Sequence, residues 1–252
     1  MEINLNADLG ESFGRYKLGN DEVLAKSVKT VSVACGYHAA DPSIMHNSVK
    51  LAKKNKLDLG AHVAFPALVG FGRRKMFLSK DEVCQIVIHQ IGGLLGFCLA
   101  EKVELKHVKP HGQLALMSQY DKETAQGLVN GVKAVDMDLM LLSYGNLLDE
   151  ECNRKSIRMI HEGFIDLNYN KNGELILERD KQKRDIKEMS QRAINLANKS
   201  SIQTISGNWI KIPIQSICVH GDGPNASEIA EEVRNTLITE GHKIVGLNEI
   251  KS

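Results

Sequence analysis

Short apolar runs alternate with longer amphipathic stretches along the chain. The runs Glu2–Ala7, Thr30–Cys35, Leu57–His62, Glu104–Lys109, Asp138–Ser143, Ile157–Glu162 and Gln215–His220 have the length of β-strands. Most read as apolar on both faces, the pattern of a parallel strand buried under helices. Helical periodicity fills the gaps. Asp41-Pro42 sets a capping residue before a first-turn proline, and Ile44, Val49, Leu51 and Ala52 follow at helical spacing. Ser79-Lys80-Asp81-Glu82 spells a capping box and opens a long helix to about Ala100. Asp121 to about Ala134, Asp185 to Asn198 and Asn225 to about Gly241 read the same way.

About seven β/α units without a linker predict an α/β fold with one domain over residues 1–252. A parallel (β/α) barrel fits this best, and a doubly wound open sheet is the runner-up. Two segments stand apart. Ala64–Phe77 is a loop rich in glycine and arginine. Asn168–Arg184 carries Asn170-Lys171-Asn172-Gly173, a turn signal that joins a small hairpin.

Composition narrows the classes. The chain has 252 residues, 42% of them hydrophobic and 25% charged, which suits a globular protein with its own core. Lys plus Arg is 32 and Asp plus Glu is 31, a net charge of +1. So even a balance gives no global field for nucleic acid or anionic membrane. No run reaches the ~18 apolar residues of a membrane span. The start, Met1-Glu2-Ile3-Asn4, lacks the basic and apolar regions of a secretory leader. Cys35, Cys84, Cys98, Cys152 and Cys218 are well separated and form no CxxC pair. They read as reduced thiols in a cytoplasmic protein.

The candidate chemistry lies where strands end. Asn6 and Asp8 close the first run, and Cys35, His38 and Asp41 follow the second. His62 closes the third, Lys109 and His111 the fourth, Glu162 and Asp166 the sixth, His220 and Asp222 the seventh. In a parallel β/α fold all these ends share one face, so distant residues converge on one pocket. Bland roles compete at some positions. His46, His89 and His242 lie in helical patterns, His107 lies inside a strand, and Asp41 doubles as a helix cap. Asp222 can equally support the turn around Gly221 and Gly223.

Asp8, His38, His62, His111 and His220 could bind a divalent metal, with Asp8, His62 and His111 the leading candidates. Without a metal, Asp8 or Glu162 serves as general base and a histidine as general acid or oxyanion donor. Lys109 serves as a charge clamp. Arg73 and Arg74, beside Gly72, form a carboxylate or phosphate clamp, unless one of them is tied up in an ion pair at the barrel rim. His220-Gly221-Asp222 precedes a helix and could form an anion nest. GxxxxGK[ST], GxGxxG and GxSxG are all absent, so orthodox nucleotide loops and Ser-His-Asp acyl transfer have little support.

These motifs, taken in order, resemble the LamB/YcsF family. The matching stretches are Asn6-Ala7-Asp8-Leu9-Gly10-Glu11, Ala34-Cys35-Gly36-Tyr37-His38-Ala39, Gly60-Ala61-His62, Gly70-Phe71-Gly72-Arg73-Arg74, Val108-Lys109-Pro110-His111-Gly112 and Cys218-Val219-His220-Gly221-Asp222. Gln90-Ile91-Gly92 and Glu162-Gly163-Phe164-Ile165-Asp166 match more weakly. The resemblance implies a seven-stranded barrel of the glycoside hydrolase/deacetylase type. It also implies ATP-dependent opening of 5-oxo-L-proline to L-glutamate, with magnesium accompanying ATP and with two partner subunits, B and C. It implies catalytic roles for Asp8, His38, His62, Lys109, His111 and Glu162. Substrate or ATP would be held by Asn6, Arg73, Arg74, His220, Gly221 and Asp222. The chain departs from the family pattern at Ala7, Ala40, Ala67, Ala115 and Leu167. Two other readings follow: a stand-alone metal-dependent hydrolase or deacetylase, and a divergent paralogue that binds without turnover. Assembly with copies of itself is a further expectation.

Overall fold

In the computed structural model, which describes residues 1–136 and 138–250, seven parallel strands close into a barrel. They are β1 (Glu2–Leu9), β2 (Thr30–Ala34), β3 (Asp58–Val63), β4 (Leu105–Pro110), β5 (Met140–Ser143), β6 (Met159–Phe164) and β11 (Ser216–Val219). Neighbours follow chain order, and β11 closes on β1 with Asn6 opposite Cys218 and Ala7 opposite Val219. The strands β7 (Asn168–Tyr169) and β8 (Leu175–Ile176) form the hairpin expected at Asn170–Gly173. A second hairpin, β9 (Ser201–Gln203) with β10 (Trp209–Lys211), was not signalled by the sequence. The short β12 (Lys243–Ile244) pairs with the start of β1.

The barrel interior differs from the expectation of strands apolar on both faces. In β1, Ile3, Leu5, Ala7 and Leu9 alternate with Asn4, Asn6 and Asp8, and nearly all are fully buried. The polar set bonds inside the barrel. Asn4 donates to the Thr30 hydroxyl at 2.8 Å and accepts from Ser216 at 2.7 Å. His107 on β4 reaches Ser32 on β2 at 3.0 Å. That reach crosses β3 at Gly60, where a Cβ would stand 2.2 Å from the His107 ring. Each of these buried polar groups thus finds a partner on another strand, which is what makes a polar barrel floor tolerable.

Eight helices surround the strands among the described residues. They are α1 (Asp21–Leu24), α2 (Pro42–Asn55), α3 (Lys80–Glu101), α4 (Gly112–Met117), α5 (Lys122–Val135), α6 (Asn146–Arg154), α7 (Ile186–Lys199) and α8 (Ala226–Thr239). The capping signals act locally as their chemistry demands. Asp41 accepts from the backbone of Ser43 and Ile44, and Ser79 and Glu82 complete the capping box. Asn225 is the exception: its amide pairs with the Arg184 backbone instead of capping α8. By length and composition α3 could cross a membrane, although Gln85, His89 and Gln90 interrupt it. Here it packs against α2 and α5 in the barrel shell.

Candidate active site

The C-terminal ends of the strands form one pocket, lined by Asp8 from β1, His62 from β3, Lys109 from β4, His111 just beyond it and His220 just after β11. Tyr144, Phe164, Leu167, Leu175, Leu177 and Lys181 complete much of its wall. Five polar side chains from four sequence-distant strand ends therefore meet at one mouth of the barrel.

Lys109 is the centre of the floor. Its ammonium is 2.9 Å from Asp8 Oδ1 and 3.1 Å from Glu162 Oε2, and it donates to Asn6 Oδ1 at 3.1 Å. All four side chains are nearly or fully buried. Burial alone would raise the Asp8 pKa, but the charges of His62 and Lys109 outweigh it and hold the carboxyl well below its usual range. Burial would lower that of Lys109, but the carboxylates facing it and the Cys218 thiol keep the ammonium charged. Glu162 is pushed up by burial, with Lys109 opposing.

Two expected site residues change role here. Asn6 and Glu162 do not line the pocket. Asn6 spends its amide on Ser216 and the Ile217 carbonyl, and Glu162 faces Lys109. Both hold Lys109 in place instead of meeting a ligand.

Beside Asp8 lies a histidine cluster. His62 Nδ1 donates to the Lys109 carbonyl at 3.1 Å, and His111 Nε2 donates to the Phe71 carbonyl at 2.9 Å. His62 Nε2 and His111 Nδ1 then face each other at 3.0 Å. Glu11, which composition and spacing did not single out, sends Oε1 to within 3.5 Å of His111 Nδ1 and 3.8 Å of His62 Nε2. His38 lies behind the pocket wall, buried, with Nε2 3.1 Å from Glu11 Oε1. It is not among the residues that line the pocket. Burial and neighbouring histidines hold His38 and His111 well below the usual imidazole range, so both are neutral.

On the opposite side, His220 Nδ1 donates to Asp166 at 2.8 Å, and its other nitrogen stands 3.9 Å from Asp8 Oδ2. Burial opposes the charge on Asp166, but His220 and Lys181 outweigh it and lower its pKa strongly. Lys181 is 2.7 Å from Asp222, and Asp222 also pairs with Arg73. Lys181 comes from the segment after the β7–β8 hairpin, where no periodicity marked it.

The proposed anion sites are corrected by these contacts. Arg73 is committed to Asp222 and to the Arg179 carbonyl, the rim ion pair that competed with an anion clamp. Arg74 is exposed and stands away from the floor pocket, lining an outer cleft with Arg179. At Gly221 a Cβ would stand 2.3 Å from the Asp8 carbonyl, so glycine there lets β11 close on β1. The Asp222 carboxylate already pairs with both Arg73 and Lys181. Asp41 is a cap, and it also accepts from Gly14. His107 is a buried core residue, His46 pairs with Glu101, His89 stacks on Tyr37 and His242 meets Asn198.

Comparison with known proteins places the chain as a whole. The model of the LamB/YcsF family matches residues 3–252. The chain belongs to the LamB/YcsF family. A relative from Pyrococcus abyssi, named as the A subunit of 5-oxoprolinase, is 41% identical over 99% of both chains. The crystal structure of a lactam utilization protein from Thermus thermophilus superposes with a TM-score of 0.90 at 36% identity. It covers 98% of this chain and 100% of that one. The catalytic domain of a peptidoglycan N-acetylglucosamine deacetylase from Eubacterium rectale shares the fold alone, at a TM-score of 0.50 and 11% identity over 100% of this chain and 90% of that one. The barrel is thus of the deacetylase type, as the family resemblance implied. Of the departures from the family pattern, Ala115 and Leu167 line the pocket, whereas Ala67 sits before a 3-10 turn outside it.

Proposed function

We propose that this chain is the A subunit of a 5-oxoprolinase and carries out the water-addition step that opens the lactam ring of 5-oxo-L-proline. Full-length similarity to relatives of that name supports the reading. The observation that carries it in the structure is Asp8, a carboxylate fixed on Lys109 at the pocket floor between His62 and His220. An amide carbon is a poor electrophile. Phosphorylation of its oxygen by ATP, with magnesium, turns that oxygen into a leaving group. Water then adds to the carbon, with Asp8 taking a proton. The C–N bond breaks, the ring nitrogen gains a proton to become the amine, and the acyl phosphate left at the carbon is cleaved by a second water to glutamate and inorganic phosphate. His220, held in one orientation by Asp166, is placed to deliver that proton. Lys109 steadies the negative charge that develops beside Asp8.

Binding and phosphorylation of the lactam would be shared with subunits B and C, since a protein named as one subunit works with others. No orthodox phosphate loop is present in this chain, which supports that division. The five unpaired cysteines suit a reducing, cytoplasmic setting.

The test is reconstitution. The three-subunit complex should release phosphate only when 5-oxo-L-proline is present. Asp8→Asn should lower kcat by about 10²–10⁴-fold with the complex still assembled, the range of a lost general base. Phosphate release that ignores 5-oxo-L-proline, with all three subunits folded, would remove the reading.

A further inference from the structure

We propose that Glu11, His62 and His111 bind one divalent transition-metal ion, with His38 orienting Glu11 from behind. A carbonyl oxygen only accepts, so His62 carries its proton on Nδ1, facing Lys109, and His111 carries its own on Nε2, facing Phe71. Metal binding takes imidazole in its neutral form, and the nitrogens left to offer a lone pair are then His62 Nε2 and His111 Nδ1. They point at each other across 3.0 Å in a buried site. Two lone pairs do not hold each other there. A cation between them does.

The third group is in place. Glu11 Oε1, His62 Nε2 and His111 Nδ1 form a triangle with sides of 3.0, 3.5 and 3.8 Å. Ligand atoms ~2.0–2.2 Å from a tetrahedral ion stand about 3.3–3.6 Å apart, so the triangle brackets that edge. The rings of His62 and His111 cross at 90°, which lets both lone pairs lie toward one point. His38 belongs to the same cluster of potential donors, but it stacks on His111 at 3.9 Å with only 9° between the planes. An ion in the plane of one ring lies outside the plane of the other. His38 therefore acts through Glu11, to which its Nε2 is bonded at 3.1 Å. The carbonyl bonds of His62 and His111 are the outer contacts that fix a metal-bound imidazole in its tautomer. Two imidazoles and one carboxylate suit a zinc-class ion and leave a coordination position free. Asp8, expected as a ligand, has Oδ1 on Lys109 and presents Oδ2 3.4 Å from His62 Nε2, next to that position.

The experiment reads binding, not turnover, so its failure leaves the lactam reading standing, and failure of turnover leaves this one standing. The full chain is stripped with chelator, loaded with Zn²⁺ or Co²⁺, and dialysed. One equivalent of metal per chain, visible Co²⁺ bands and a rise in Tm with Zn²⁺ are expected. X-ray absorption of the Zn²⁺-loaded wild type should show nitrogen and oxygen neighbours with imidazole scattering. Glu11→Gln, His62→Gln and His111→Gln should lose the ion. His38→Gln should keep one equivalent at saturation but bind about 10–100-fold more weakly. His46→Gln, on the surface, should change nothing. Absence of metal uptake by the folded wild type would overturn the proposal and leave a proton shared between the rings. Sulfur in the coordination shell would also overturn it, placing the ion at the separate Asp8, Cys218 and His220 group. So would full retention by any of the three ligand variants that folds, and the wild-type spectrum decides where a variant does not fold.

Discussion

A single ammonium, that of Lys109, bridges two buried carboxylates at the floor. Lys109→Met would leave Asp8 and Glu162 without the ammonium that sits between them. Breaking such a pair from one side costs about 3–5 kcal/mol, so the variant should melt well below the wild type in a thermal or urea denaturation. An undiminished Tm would show that the two carboxylates share a proton already. Asp166 offers a pH test at the other wall. Its folded pKa is depressed, chiefly against burial, by His220 and Lys181. A depressed carboxyl stabilises the fold above its unfolded value, about 3.9, and that contribution is lost as pH falls towards the folded value. Asn at this position does not titrate. The stability gap between wild type and Asp166→Asn, measured by urea unfolding, should be constant near neutral pH and shrink below about pH 4. A gap that grows with acidity would contradict the pairing.

Within the strands, spacing at the barrel floor is set by which side chains can be absent. Gly60 on β3 gives the His107 ring its path from β4 to Ser32 on β2. The ring is rigid, fully buried and cannot swing to solvent. Gly60→Ala should therefore strain the strand or evict the ring, lowering stability by about 1–3 kcal/mol in chemical denaturation. His107→Ala should relieve that strain, so the double variant should fall short of the sum of the two single losses. Strict additivity would place the strain elsewhere. The same scale explains what the sequence could and could not announce. Helices α2, α3, α5 and α7 were legible because Asp41, Ser79, Asp121 and Asp185 each write a cap in side-chain chemistry. Helix α6 was not: it starts after Gly145 with no side-chain cap, and it is short and polar. Strand interiors expected to be apolar on both faces in fact bury Asn4, Asn6 and Ser32. Their partners lie on other strands, and no local pattern reports a bond from Asn4 to Ser216.

At the scale of the whole molecule, closure of β11 on β1 decides which residues meet. A closed parallel barrel sends every strand end to one mouth, and that rule alone made Asp8, His62, Lys109, His111 and His220 legible as a set. Glu11 and Lys181 escaped it because they sit on connecting segments, whose paths topology does not fix. Those segments also govern access. The space open at the floor is about 30 Å³, enough for about two waters and too little for a five-membered lactam with its carboxylate. Leu175 and Leu177 from the β7–β8 hairpin side, with Glu178 tied to Arg184, cover that floor. Displacing this cover widens the way to Asp8. The hairpin has two residues in each strand and few ladder bonds, whereas β1 is paired on both sides along its length. Local opening of the hairpin therefore costs far less than opening the barrel. Hydrogen exchange on the folded protein should show residues 168–181 exchanging through local opening, while β1 and β3 exchange only with global unfolding. In the reconstituted complex, 5-oxo-L-proline should slow exchange in 168–181 and leave β1 unchanged. Hairpin amides as slow as those of β1 before substrate is added would mean that the lactam reaches Asp8 by another route.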